Sequence, residues 1–363
     1  MSFVWPTSHV GMVHPLAPSA RARTQGTWFL RMAEAAERGL SYDETKALFP
    51  DVDAATVETR KSLYEEFGLL YVAKYSGTPH LTGVGRQLFN LLGMRPPSDP
   101  SEEVRIQVDS LLCWAVSHTQ INRPQSLGSP NITEEERADC DIRPYAAFWQ
   151  AMLELGGTVT FEEFNNVLAH VQRVDHFESA VQTIMRARES GALPEAVEKS
   201  DNFGIYWRAH LSLARAVLNI RDGQFSFVPN RERIIRSILE FQTQRESSDA
   251  SAAIRSKWWA DVDEYYLFAG QECPEFIASG QATVESPASS NVGPGPCRPH
   301  IARCRSSATN PRAKRDKYRS GCRSKQGVSS RYRAEPGTCH NRSFAEQTGG
   351  RFSGEYDPKT SIW

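Results

Sequence analysis

Arg60 and Lys61 stand side by side, with Thr59 before them, in a run that reads as one helix. A guanidinium, an ammonium and a hydroxyl on one helical surface are the donors that meet phosphate oxygens and purine edges. Lys74, Tyr75 and His80 follow in a stretch that reads as a β-hairpin, and would add a cation, a ring for stacking and a further polar group. This is the chemistry of holding a polyanion, not of breaking bonds. The motifs of bond-breaking sites are missing. There is no G-x4-G-K-S/T loop, no G-x-G-x-x-G after a strand, no G-x-S-x-G elbow and no H-E-x-x-H. Pro50-Asp51 followed by Glu58-Thr59-Arg60 has the residue types of a two-metal nuclease, but it runs across a helix where adjacent strands are needed. His170 and His176 are six apart, off the spacing of a helical metal pair, and the isolated His118 and His210 read as structural. No catalytic group, cofactor or metal follows from this part of the chain.

The elements that must carry those residues are legible. Residues 27–39 form an amphipathic helix that includes Trp28, Leu30, Met32 and Ala36. Ser41 and Glu44 make a capping box for a short helix ending near Phe49-Pro50. Asp51 or Asp53 caps a third helix to about Phe67, which Gly68 stops. Residues 69–74 are a strand, Ser76-Gly77-Thr78 a turn, 80–82 a return strand and 84–92 a closing helix. Three helices, a hairpin and a helix predict a winged helix-turn-helix over 27–95, a layout that puts its third helix into the major groove of DNA.

A second module is predicted over 143–243. Residues 145–155 are helical, Thr160 and Glu163 form another capping box, 177–188 and 206–216 are helices, and 217–228 is a hairpin about Asp222-Gly223. A helix follows over 231–242, where Arg231, Arg233 and Arg236 could hold phosphate or form a solvated face. Trp149 and Trp207 lie in amphipathic runs and read as core. Between the modules, 96–142 combines a helix at 102–119 with a polar, acidic loop; residues 1–26 read as an unstructured segment and 244–286 as a helical segment. The fold class is therefore mainly α with small β-hairpins, in tandem winged helix-turn-helix modules.

Charge argues for restraint. Residues 27–95 hold eight Lys/Arg and nine Asp/Glu, and 144–243 hold ten against twelve, whereas a domain that lives on phosphate contacts usually has a basic face. The chain is also split. Residues 1–286 carry 27 Lys/Arg and 38 Asp/Glu, a net of −11; residues 287–363 carry 15 and 5, a net of +10. The tail has no Leu and no Met, too little apolar surface to offset ordering entropy. It reads as the product of out-of-frame translation, in which case a domain after about residue 285 is absent, or as a disordered basic arm. A zinc site on Cys297, His300 and Cys304 with Cys322, Cys339 or His340 is a third alternative, but the spacing is not that of paired knuckles. Residues 1–26 have no apolar signal core, no run reaches the length of a membrane span, and Cys113, Cys140 and Cys273 are too scattered for a disulfide framework. The cytoplasm is the compartment these absences suggest.

The segments ETKALFP, TRKSLYEEFGLLYV and HLTGVGRQLFNLL within 27–92 resemble the N-terminal winged helix of uncharacterised bacterial proteins associated with restriction and phage defence. Thr119–Pro124, RPYAAFWQAML and TFEEFNNVL are similar to the region that follows in those chains, so the resemblance covers about 27–243. It implies a DNA-binding protein of a restriction or defence system, or a regulator, with duplex DNA as partner. It also implies an alternative: a non-catalytic scaffold that recruits a nuclease or ATPase partner, or a restriction enzyme truncated before its catalytic part. No catalytic residue of such a part is matched, and none is transferred.

Overall fold

Several helices in the computed structural model start where capping chemistry puts them. It describes residues 3–5, 14–16, 20–72, 77–93, 98–122, 134–194, 210–211, 217–246, 249, 251–259 and 261–280. Helix α1 spans Ala20–Glu37, seven residues earlier at its start than the apolar pattern predicts. Ser41 and Glu44 form both bonds of the capping box that opens α2 (Tyr42–Ala47). Asp53 accepts from the Thr56 N–H and opens α3 (Ala54–Glu66). Strands β1 (Leu70–Val72) and β2 (Pro79–Leu81) pair antiparallel, Leu70 opposite Leu81. Thr82 then caps α4 (Gly83–Leu92).

The Thr82 hydroxyl donates to the Gly68 carbonyl at 2.7 Å and accepts from the Gly85 N–H at 3.1 Å. The hairpin and α4 are thereby seated together so closely that a Cβ on Gly85 would lie 1.8 Å from the Leu69 carbonyl oxygen. Only glycine fits there.

Helix α5 (Glu102–Ser117) is buried along its last turns, and α6 (Glu134–Ala138) is a short helix inside the stretch expected to be a polar loop. Helix α7 (Pro144–Glu154) leads to β3 (Thr158–Thr160), and the Thr160–Glu163 capping box opens α8 (Phe161–Asn166). Two 3₁₀ turns precede α9 (Phe177–Ser190). Strands β4 (Leu218–Arg221) and β5 (Gln224–Phe227) turn at Asp222 and Gly223, whose φ of 50° and 75° are those of a primed turn. Strand β3 pairs with β5 to give the order β3-β5-β4, all antiparallel, with Val159 opposite Phe225. The predicted helix over 206–216 and Trp207 lie outside the described residues, apart from positions 210 and 211.

Helix α10 (Glu232–Glu246) runs longer than predicted, and α11 (Val262–Ala269) and α12 (Glu275–Ala278) follow. This last stretch is not an appendage. The Val84 N–H donates to the Gly270 carbonyl at 3.0 Å, Gln87 exchanges two 2.8 Å bonds with the backbone of Cys273, and Ile142 bridges to Arg255. Arg143, fully buried, meets Glu246 at 2.7 and 2.8 Å and lies 4.8 Å over the Phe268 ring.

The main apolar core extends from Phe3 to Ile277, with Trp5, Phe67, Trp114, Phe148 and Trp149 among its largest members, and Tyr265, Tyr266 and Ala269 of α11 form a second, smaller cluster with Trp259 and Phe268. Within the first 26 residues, expected to be unstructured, the described positions 3–5 and 14–16 have defined partners. Phe3, Val4 and Trp5 are buried. The Trp5 indole donates to the Val171 carbonyl at 2.6 Å, and His14 meets Asp109 at 2.7 Å. A few apolar residues scattered among prolines carry no period, yet they fill space between distant elements. No helix among the described residues is long and apolar enough to cross a membrane. Mainly helical, with small antiparallel sheets, is thus the observed class.

Candidate nucleic-acid interface

The predicted contact residues fall on two elements. Thr59 is exposed on α3, its hydroxyl donating to the Ala55 carbonyl at 2.8 Å. Arg60 lies 5.7 Å over the Trp28 ring, and burial lowers its pKa. Lys61 is held more firmly. Its ammonium stands 2.6 Å from Glu58, 3.6 Å from Glu65 and 5.0 Å over the Tyr42 ring, and only 15 % of the side chain is exposed. Tyr42 in turn donates to Glu58 at 2.7 Å. Burial, then the hydrogen bond and charge of Glu58, push the phenol far above its usual range. His80 is exposed on β2, 5.3 Å from the Tyr71 ring, which stacks on Tyr266 at 5.1 Å. The Tyr42 N–H donates to the Gly77 carbonyl, so α2 ties the hairpin to α3 and brings the two groups of candidates onto adjoining elements. Lys74 and Tyr75 lie outside the described residues.

A second polar surface belongs to α9. Its buried side is Phe177, Val181, Ile184 and Ala187. Ser179, Gln182 and Arg186 make a single stripe on the opposite side, at helical spacing, with Met185 beside them at 41 % exposure. The helix is fixed at both ends. Asp141 accepts from the Val174 N–H at 2.7 Å just before α9. At the far end Arg188 grips Glu163 at 2.6 and 2.9 Å and donates to the carbonyls of Leu155 and Thr158. Burial alone would raise the Glu163 carboxyl; the bonds from Arg188 and Thr160 outweigh it and hold it below the usual carboxylate range. The hairpin turn is joined to the same group, since the Phe161 N–H donates to the Gly223 carbonyl at 2.7 Å.

Sequence reasoning did not single out this stripe. It holds one cation and two neutral polar residues, and a search for clustered charge passes over it. The available signal is positional: the helix next after the one that a capping box opens, ahead of an Asp-Gly hairpin.

Of the three arginines after the second hairpin, Arg231 pairs with Glu102 at 3.5 Å, while Arg233 and Arg236 are exposed on α10 with no ion-pair partner among the described residues. His170 bonds the carbonyls of Phe3 and Asn165, a structural role. His118 is buried, and its pKa is pushed down to about 3 by that burial and by Arg143 and Arg245 nearby. No group of three or more potential metal ligands occurs among the described residues; Cys297, His300, Cys304, Cys322, Cys339 and His340 lie outside them.

No family model matches the chain, and no curated protein matches it. Its fold is similar to a solved structure described as "Crystal structure of pyrene- and phenanthrene-modified DNA in complex with the BpuJ1 endonuclease binding domain". The likeness has a TM-score of 0.51 at 10 % identity, and covers 73 % of this chain and 98 % of that one. At that identity it is a likeness of fold.

Proposed function

We propose that this chain is a duplex-DNA-binding protein of a bacterial restriction or defence system, or a regulator, built on two winged helices. The observation that carries the reading is the order of elements over 144–227. Among the described residues, helix, strand, helix, helix and, after helical positions 210 and 211, a hairpin, with the first strand added beside the last in the order β3-β5-β4, is the arrangement a winged helix uses to present its third helix. Residues 20–92 give the shorter version, three helices and a hairpin closed by α4. The fold likeness supports it, since the neighbour covered over 98 % of its length is an endonuclease binding domain held on DNA. Thr59, Arg60, Lys61, Lys74, Tyr75 and His80 are the candidate contacts of the first module, and the α9 stripe that of the second.

An electrophoretic shift of the full chain with duplex DNA tests the reading. Binding at low salt that weakens steeply with added salt is expected. Absence of a shift at low salt removes it.

A second reading has its own support. Residues 1–286 carry a net charge of −11, which resists a polyanion, and Trp258 and Leu267 are each 72 % exposed. In that reading the modules hold a nuclease or ATPase partner. Co-purification from the native host separates the two: a chain that comes down alone and shifts DNA strongly leaves no place for the scaffold.

A further inference from the structure

We infer that the two modules divide the work, and that sequence is read by Ser179, Gln182 and Arg186 of α9 and not by α3. The inference rests on the DNA-binding reading above. It comes from comparing what the two third helices offer outward.

On α3 the exposed residues are Ala54, Ala55, Glu58 and Thr59, the Thr59 hydroxyl being spent on the Ala55 carbonyl, with Lys61 drawn between Glu58 and Glu65. The ammonium is already satisfied by two carboxylates and an aromatic face. Glu58, half exposed, is the charge that an approaching phosphate meets first. Lys61 can reach DNA only by giving up these partners, and doing so leaves Glu58 without its nearest cation beside a polyanion.

On α9 the side chains of Ser179 and Gln182 make no hydrogen bond among the described residues, and Arg186 commits only Nε, to the Gln182 carbonyl at 3.2 Å. Terminal guanidinium donors, an amide with both donor and acceptor, and a hydroxyl therefore face outward along one line. That is the donor and acceptor set that matches purine edges in the major groove: guanidinium to guanine O6 and N7, carboxamide to adenine N6 and N7. Glu178 and Glu189 flank the stripe and set it against an indiscriminate grip on phosphate. The helix is also anchored at both ends. Arg188 and Asp141 pin its ends, so little side-chain searching is added to a moving backbone.

The test is selection of bound sequences from a random duplex pool by the full chain, with affinity for selected and unselected DNA measured for each variant. The intact protein should enrich a short motif. Arg186→Ala and Gln182→Ala should each flatten the preference at one or two neighbouring positions, and weaken selected DNA about tenfold to a hundredfold while unselected DNA changes little. Arg186→Lys keeps the charge and loses the fork. It should lose the preference while retaining the salt slope, a result that loss of folding cannot imitate. Lys61→Ala should change the affinity for selected and unselected DNA alike, so that the enriched motif stays the same. Enrichment that survives Arg186→Ala and Gln182→Ala, or that shifts with Lys61→Ala, overturns the inference, as does binding with no preference at all, although that last result leaves the DNA-binding reading standing. A chain that binds no duplex at low salt overturns both.

Discussion

Arg188 and Glu163 meet two-pronged, Nε to Oε1 at 2.6 Å and Nη2 to Oε2 at 2.9 Å, across the angle between α9 and α8. The same guanidinium closes the end of α7 through the Leu155 carbonyl and the edge of β3 through the Thr158 carbonyl. One side chain thus sets three elements around the outward-facing helix. Arg188 is a third exposed, while the Glu163 side chain is almost wholly covered. Arg188→Ala should cost about 1–3 kcal/mol, most of it from leaving a covered carboxylate with Thr160 alone as donor. Arg188→Lys should recover only part, because an ammonium cannot serve both carboxylate oxygens and two carbonyls. Urea unfolding monitored by tryptophan fluorescence measures both, and full recovery by lysine would show that charge alone matters at this joint.

His118 should make stability depend on pH. Its Nδ1 faces the Trp114 carbonyl at 2.8 Å, and Nε2 faces the amide nitrogens of Gln242 at 3.2 Å and Gln271 at 2.5 Å. The neutral ring, donating from Nδ1 and accepting at Nε2, satisfies all three. A second proton would point at donors, with Arg143 and Arg245 close by. The folded pKa of about 3 lies below the unfolded value, so the unfolded chain takes up the proton first. The contribution is fully present above about pH 6.5 and is lost as pH falls through the window toward the folded value, by at most about 1.4 kcal/mol per unit. Between about pH 7.5 and about pH 5.5, urea midpoints should fall for the wild type and fall less for His118→Asn, the window lying above ordinary carboxylate titration. Parallel pH profiles for the two proteins would remove His118 from the effect.

Gly85→Ala should be among the most damaging single-methyl changes in the protein. The added carbon would overlap the Leu69 carbonyl oxygen, which is backbone and cannot rotate away, so α4 must leave the hairpin. A loss of at least about 3 kcal/mol is expected. Gly39→Ala provides the contrast: its surroundings are open, and only its φ of 66° opposes the methyl, at about 1 kcal/mol. Thermal melting of the two variants should differ widely; similar melting temperatures would mean that α4 moves away at little cost.

What could be read from sequence was local. Ser41 with Glu44, Thr160 with Glu163, and Asp222-Gly223 each name their own geometry within four residues, and the helices and turn they define occur at those places. Strand β3 could not be found that way. It has three residues, and its partner β5 lies more than sixty positions on. Trp5 and His14 carry no pattern either; their roles depend on Val171 and Asp109, far along the chain. Arg60 and Lys61 were conspicuous because cations stand out in a string of letters. That Trp28 covers one and that Glu58, Glu65 and Tyr42 enclose the other is a matter of helical register and packing.

The bonds from Val84 to Gly270 and from Gln87 to Cys273 bear on synthesis. The second joins positions 186 apart. At about 5–20 residues per second, a ribosome needs on the order of ten to forty seconds to deliver the later partner after the earlier one. Through that interval the nascent hairpin and α4 wait with a flank uncovered, the condition in which holdase chaperones act and in which a fragment ending near residue 95 would be caught permanently. Slower translation between the two segments would lengthen the exposure without changing one atom of the finished protein.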